Sequence, residues 1–178
     1  WTLNTGLHGS LFDLNDSKSL EPRASIAYQF KPGESLALSA GLHSKPEHLS
    51  TYYFKNTNQS LGLKDINKSL DLIRAAHLVL AYERIIFRNI RIKAEAYYQH
   101  LYKVPVEKDN ESEFSMLNAG DVYGLVSVDS ALVSKGKGTN YGIDLSVEKP
   151  FSHNFYFLFT SSLFRSTYTT YGGKEFNT

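Results

Sequence analysis

The strongest constraint on this chain is a regular alternation of apolar and polar side chains, which is clearest between Ile90 and Tyr102. Successive side chains of a β-strand point to opposite faces, so a period of two predicts a strand with one apolar and one polar face. The predicted apolar face carries Ile90, Ile92, Ala94, Ala96 and Tyr98, and the polar face carries Arg91, Lys93, Glu95, Tyr97 and Gln99.

The same alternation recurs along the rest of the chain. It predicts strands over residues 24–30, 36–42, 78–86 and 141–147. The segment 155–168 also has the composition of a strand, but its first residues are apolar at both parities, so its facing stays open. About seven antiparallel strands and no long helix outside the links are therefore expected.

The links between these strands differ in length in a regular order. Compact turns are predicted at residues 31–33, 87–89 and 151–154, and long polar links at 45–74 and 105–138. Shorter links are predicted at 9–20 and beyond residue 171, at the same end as the long ones. Loops longer than about 12–15 residues are uncommon in compact soluble domains, whereas outer-membrane barrels combine short periplasmic turns with long extracellular loops.

Tyrosine and phenylalanine side chains cluster near both sets of links. Tyr28, Phe30 and Tyr82 lie beside the compact turns, whereas Tyr98 and Tyr141 lie toward the long links. Two aromatic belts that flank an aliphatic band are typical of membrane barrels. We therefore expect an all-β, up-and-down segment of a transmembrane β-barrel over residues 1–178, in contact with membrane lipid.

Composition excludes several other classes of protein. The chain has no cysteine, which excludes disulfide-stapled domains, zinc fingers and thiol enzymes. Its net charge of +1 and the lack of a basic run argue against nucleic acid as a partner. The longest apolar runs are only a few residues, whereas a spanning helix needs about 20. A spanning strand needs only about 9–11 residues, half of them apolar.

Several segments resemble barrel strands of the TonB-dependent receptors of Bacteroidetes. The resemblance rests on EPR at residues 21–23 leading into the strand 24–30, and on RIKAEAYYQHLYKVPV at 91–106. FSMLNAG at 114–120, GTNYGIDL at 138–145 and the segment 157–168 fit the same pattern.

This resemblance implies a function as well as a fold. It implies the C-terminal half of a plugged barrel of about 22 strands in the bacterial outer membrane. Such receptors import a scarce nutrient, such as a metal chelate, a vitamin or a glycan, with energy relayed by the TonB complex. The N-terminal plug domain that contacts TonB is absent from this chain, which is therefore interpreted as an internal fragment.

No motif indicates an enzyme or a cofactor site. Gly136-Lys137-Gly138 lacks the remainder of a phosphate-binding loop and is interpreted as the flexible base of a loop. The chain has no nucleophile elbow, and its six histidines do not follow a metal-ligand spacing. No catalytic residue, metal site or cofactor is predicted.

Four aromatic residues in the long polar links are the candidate ligand-binding residues. They are Tyr52, Tyr53, Phe54 and Tyr123. Exposed aromatic rings stack on sugar or chelate rings, although the same residues could instead pack the loops together. Two other functions stay open: a soluble lipocalin-like barrel that binds an apolar ligand, and a structural or adhesion barrel without transport. A lipocalin-like barrel would place its aliphatic band inside.

Overall fold

The computed structural model describes residues 1–53, 67–87, 89–119, 131–152 and 154–178. It contains one antiparallel sheet in which each strand pairs with its neighbours in sequence. The predicted all-β, up-and-down topology is confirmed, with eight strands instead of about seven. The strands are β1 (Thr2–Phe12), β2 (Ser17–Lys31), β3 (Glu34–Lys45), β4 (Ile73–Ile86), β5 (Ile90–Glu107), β6 (Leu132–Ser152), β7 (Phe155–Thr169) and β8 (Glu175–Asn177).

The sheet is open among the described residues. β1 lies at one edge and β8 at the other, and β8 pairs only with residues 167–169 of β7. The single helix in the described part of the chain, α1 (Leu49–Tyr52), lies in the link between β3 and β4. This agrees with the prediction that helix would occur only in the links.

The register aligns apolar side chains across the whole sheet. Leu38 of β3 lies opposite Leu80 of β4, and Ala96 of β5 lies opposite Ile143 of β6. Direct partners in an antiparallel pair point to the same face. One such row, which defines the apolar face, consists of Leu3, Ile26, Leu38, Leu80, Ala96, Ile143 and Leu163. The opposite side is called the polar face below. Because Leu163 lies opposite Ile143, the register also settles the facing of the 155–168 segment that the alternation left open.

Tight turns join the strands at one end of the sheet, which we call the turn end. Two residues separate β2 from β3, three separate β4 from β5, and two separate β6 from β7. Gly33 adopts a φ of 78° in the first of these turns, a left-handed conformation that favours glycine. The three predicted compact turns are thus confirmed in place, although Phe151 and Ser152 of the third belong to β6.

The links at the opposite end, the loop end, cover residues 13–16, 46–72, 108–131 and 170–174. The predicted link 9–20 is wrong in its bounds, because only a four-residue turn separates Phe12 from Ser17. Asn15 closes this turn by accepting a hydrogen bond from the Ser17 amide at 3.2 Å. The polar residues on either side of this turn belong to β1 and β2, where the Ser10 and Ser19 hydroxyls form a hydrogen bond of 2.6 Å between the two strands.

The interpretation of Gly136-Lys137-Gly138 as a flexible loop base is wrong. Both glycines are buried inside β6, which begins at Leu132. A Cβ at Gly138 would lie 2.5 Å from Cδ1 of Leu117, and one at Gly136 would clash with Val106. These glycines therefore permit close packing beneath neighbouring side chains.

A small core lies at the loop end. Tyr52, Leu70 and Leu132 are buried together, with Phe12, Leu14, Phe114 and Met116 packed against them. These residues come from the first hairpin, from both long links and from the start of β6, so the core joins segments that are distant in sequence. Val104 and Val106 near the end of β5 are also fully buried.

Candidate functional site

The structure separates the two described members of the predicted ligand-binding set. Tyr52 is fully buried, with its ring centroid 5.1 Å from that of Phe12 and its hydroxyl accepting a hydrogen bond from the Glu47 amide at 3.2 Å. Tyr53 is 48% exposed, and the Lys68 ammonium lies 5.7 Å from its ring centroid. Phe54 and Tyr123 lie outside the described residues.

Tyr52 thus takes the packing role that the sequence left open. Burial raises the pKa of its phenol, and burial also raises the pKa of the neighbouring Glu47 carboxyl. Both groups therefore keep their proton, and stay neutral, up to a higher pH than they would in water. Ligand contact by Tyr53, Phe54 and Tyr123 stays a prediction.

The polar face carries a row of side chains that bond to one another across β3–β7, which we call the polar row. The His43 and His77 rings meet edge to face, with centroids 4.7 Å apart. Nε2 of Gln99 lies 2.8 Å from Nε2 of His77, and the Asn140 amide donates to Oε1 of Gln99 at 2.6 Å. The Ser166 hydroxyl donates to Asn140 at 2.6 Å. The alternation predicts that His43, His77 and Gln99 lie on the polar side of their strands, and the register aligns them with Asn140 and Ser166.

A buried carboxylate, Glu21, organises the polar face near the loop end. Only 3% of this residue is exposed. It accepts hydrogen bonds from the backbone amide and the hydroxyl of Ser44 at 3.0 and 2.5 Å, and from Ser19 at 3.0 Å. Arg23 donates to it at 3.0 Å, and the His8 ring nitrogen lies 3.3 Å away. Glu21 therefore ties β1, β2 and β3 together, a role that no motif in the sequence indicated.

Two cavities lie side by side on the polar face. The first has a volume of about 310 Å³ and spans β1–β4, where Gly6, Ser39 and Gly41 are among the small residues that line it. The second, of about 330 Å³, is lined by residues of β4, β5 and β6 that include Glu95 and Asp144. His77 and Val79 line both cavities, so the two cavities adjoin at these residues.

Charged side chains continue the polar face toward the turn end. Arg91 pairs with Glu83 at 2.7 Å, and Lys93 pairs with Glu95 at 2.7 Å. Asp144 lies directly opposite Glu95 in the register. The residues expected on the polar side of β5 thus share one surface, which suits the binding of a hydrated, polar solute.

Part of the link after β5 folds over the polar face at the loop end. Leu117 covers Gly138, while the Tyr168 hydroxyl donates to the Glu113 carbonyl at 3.2 Å and accepts from Asn118 at 3.0 Å. Lys174 bonds to Glu111 at 2.9 Å, and this hydrogen bond raises the pKa of Lys174. The described part of this link therefore covers the polar side of β6 and β7 at the loop end.

Within the described ranges, no three or more His, Cys, Asp or Glu side chains are grouped so that they could hold a metal ion. No helix in the described part of the chain has the length and apolar character needed to span a bilayer. Comparison with known proteins finds no matching family model, curated protein or solved structure.

Proposed function

We propose that this chain forms barrel wall and extracellular loops of a TonB-dependent outer-membrane receptor that imports a scarce nutrient. The observation that carries the membrane part of this proposal is the continuous apolar face. Along one row, Ile26 is 41%, Leu80 45% and Leu163 77% exposed, although they lie in the middle of regular strands.

Such a face needs an apolar cover. Soluble monomers rarely expose contiguous apolar patches larger than about 300–600 Å². Removing apolar surface from water contributes roughly 25 cal/mol per Å², so an uncovered face of this extent is strongly unfavourable. Lipid chains would cover it while the polar face stays wet, except along β7, whose polar side also exposes Leu158 and Phe164.

The turn end of the apolar face has the composition of a membrane interface. Trp1 and Tyr28 lie with ring centroids 4.6 Å apart, and Tyr28 and Phe30 are 4.9 Å apart. Beside them, Glu34 accepts a hydrogen bond from Tyr82 at 2.8 Å and pairs with Lys31 at 3.1 Å. Aromatic rings next to charged groups are characteristic of the level of the lipid headgroups.

The position of the cavities favours this proposal over a lipocalin-like barrel. A lipocalin-like protein would line its cavity with the aliphatic band, whereas these two cavities are lined largely by residues of the polar face. A further cavity of about 570 Å³ is lined by residues of both faces. The receptor class, the coupling to TonB and the nutrient rest on the resemblance of the strand sequences. A structural or adhesion barrel without transport is the competing proposal.

Lipid contact can be tested with two neighbouring cysteine variants, because the chain has no cysteine of its own. Leu38→Cys places a label on the apolar face, and Ser39→Cys places the same label on the polar face one residue away. Each variant carries an environment-sensitive fluorophore and is reconstituted in lipid vesicles. We expect a lipid-attached quencher to quench position 38 and aqueous iodide to quench position 39.

The quenching pattern separates the alternatives. The reverse pattern would support the lipocalin-like barrel, and equal quenching of both labels by iodide would exclude insertion. The receptor class has its own test, since it predicts a plug domain encoded upstream in the same reading frame. A reading frame without one would leave the non-transporting barrel.

A further inference from the structure

The cavity over β1–β4 is lined by a guanidinium and two imidazoles but, among the described residues, by no carboxylate. Arg23, His43 and His77 line it together with the side chains of Asn4, Ser25 and Ser39. None of the described residues that line it is acidic. The carboxylates Glu95 and Asp144 belong to the neighbouring cavity, on the far side of His77. The first cavity is therefore rich in hydrogen-bond donors and has no negative charge of its own.

Arg23 is the group in this cavity that is best placed to bind a ligand. Among the described residues it makes one hydrogen bond, from Nη2 to Glu21, and its side chain is 48% exposed. Glu21 is already held by Ser44, Ser19 and His8. Because a guanidinium has five N–H donors, Arg23 keeps most of its donors available beside the cavity.

Two glycines shape the space around this guanidinium. A Cβ at Gly41 would lie 3.1 Å from Cγ of Arg23 and 3.4 Å from Nε2 of His43, so the missing side chain lets both residues lie over β3. A Cβ at Gly6 would meet nothing within 4 Å, which leaves open space above β1. The result is a shallow floor with Arg23 and His43 above it.

We infer that this cavity binds the anionic group, a carboxylate or a phosphate, of a small ligand. A guanidinium matches both groups with two parallel hydrogen bonds, and a neighbouring imidazole adds a third donor. The inference deepens the proposed function by naming a class of nutrient, and it rests on that function in that the polar face must be accessible to water.

The test uses the whole chain in a neutral detergent, with citrate and inorganic phosphate titrated separately by isothermal calorimetry. We expect saturable binding of at least one probe, and the preferred probe distinguishes a carboxylate site from a phosphate site. Arg23→Gln should weaken binding by at least about tenfold, because a charge-assisted pair is lost. Arg91→Gln is the matched control, since Arg91 is on the polar face but pairs with Glu83 outside this cavity.

Arg23→Gln could also disturb folding, because Arg23 contacts the buried Glu21. A second pair of variants therefore tests the cavity without changing Arg23. Gly6→Val adds a branched side chain to the cavity directly opposite Arg23 and leaves Arg23 in place. Gly9→Val adds the same side chain to the opposite face of β1, where the atom nearest to the added Cβ is 3.7 Å away. Gly6→Val should abolish binding, and Gly9→Val should leave it unchanged. Circular dichroism verifies that each variant keeps its strand content.

Several results would overturn the inference. They are the absence of saturable binding, equal losses in Arg23→Gln and Arg91→Gln, and full binding by Gly6→Val. The quenching experiment on positions 38 and 39 reports lipid contact independently. Normal quenching without anion binding would reject this site alone, and anion binding without lipid quenching would reject the membrane proposal alone.

Discussion

Apolar side chains are buried at the loop end of the sheet and exposed in its middle. At the loop end, Tyr52, Val104 and Val106 have no exposed surface. In the middle, Ile26 and Leu80 remain 41% and 45% exposed. The described residues therefore cover the apolar side chains at the loop end and leave those along the strands exposed.

The difference follows from the number of layers. A sheet buries its apolar side chains only against a second layer. At the loop end the links between β3 and β4 and between β5 and β6 supply that layer, held by contacts such as the hydrogen bond from the Leu132 amide to Asn67 at 2.9 Å. Elsewhere the described chain is one layer thick. Links of the chain itself therefore cover the apolar side chains at the loop end, whereas the middle of the sheet needs a cover from its surroundings.

The largest expected effect concerns the middle of the sheet in water. Without detergent or lipid, we expect the chain to associate through its apolar face and through its open edges, since β1 and most of β7 have unpaired backbone groups. Analytical ultracentrifugation in detergent-free buffer should show oligomers, and neutral detergent should disperse them. A monomer with a cooperative melt in plain buffer would contradict the exposed apolar face and favour the lipocalin-like barrel.

The next effect concerns the loop-end core. Tyr52→Ala removes a fully buried aromatic side chain and should lower the free energy of unfolding by about 3–5 kcal/mol. Tyr53→Ala is the matched control, because Tyr53 is the adjacent residue and is 48% exposed, and it should cost less than about 1 kcal/mol. Urea unfolding in one detergent measures both. Similar losses would mean that the core does not distinguish the two tyrosines.

The smallest of the three effects compares the two faces of β5. In the intact barrel, Ile92→Lys should impair assembly by about 2–4 kcal/mol, because it places a charge toward lipid. Lys93→Gln should be tolerated, since Lys93 lies on the polar face, where it pairs with Glu95. The yield of folded protein in the outer membrane measures both variants. Equal losses would show that the assignment of the faces to lipid and water is wrong.

Much of the fold was predictable from local pattern. Alternation between Ile90 and Tyr102 identified β5, and the short segments at 31–33 and 87–89 identified turns at one end. These signals are local, because a strand and a two- or three-residue turn depend on neighbouring residues. Bounds at the loop end were predicted less well, since polar residues such as Ser10 and Ser19 belong to a strand only through their cross-strand partner.

The candidate site was predictable only in part. The polar parity placed Arg91, Lys93 and Glu95 on one surface, but the alignment of His43, His77 and Gln99 depends on the register of three strands. A register is a relation between segments distant in sequence, and a shift of one residue would reverse every facing. The sequence therefore could not indicate the cavity beside Arg23.

The sequence was sufficient to identify an antiparallel all-β chain in which most strands have one apolar and one polar face. The tertiary structure alone decided that Tyr52 is buried, that Gly136 and Gly138 lie inside a strand, and that Glu21 joins three strands. The reason is that each of these features is made by contacts between links or strands that are far apart along the chain, and a local pattern carries no information about such partners.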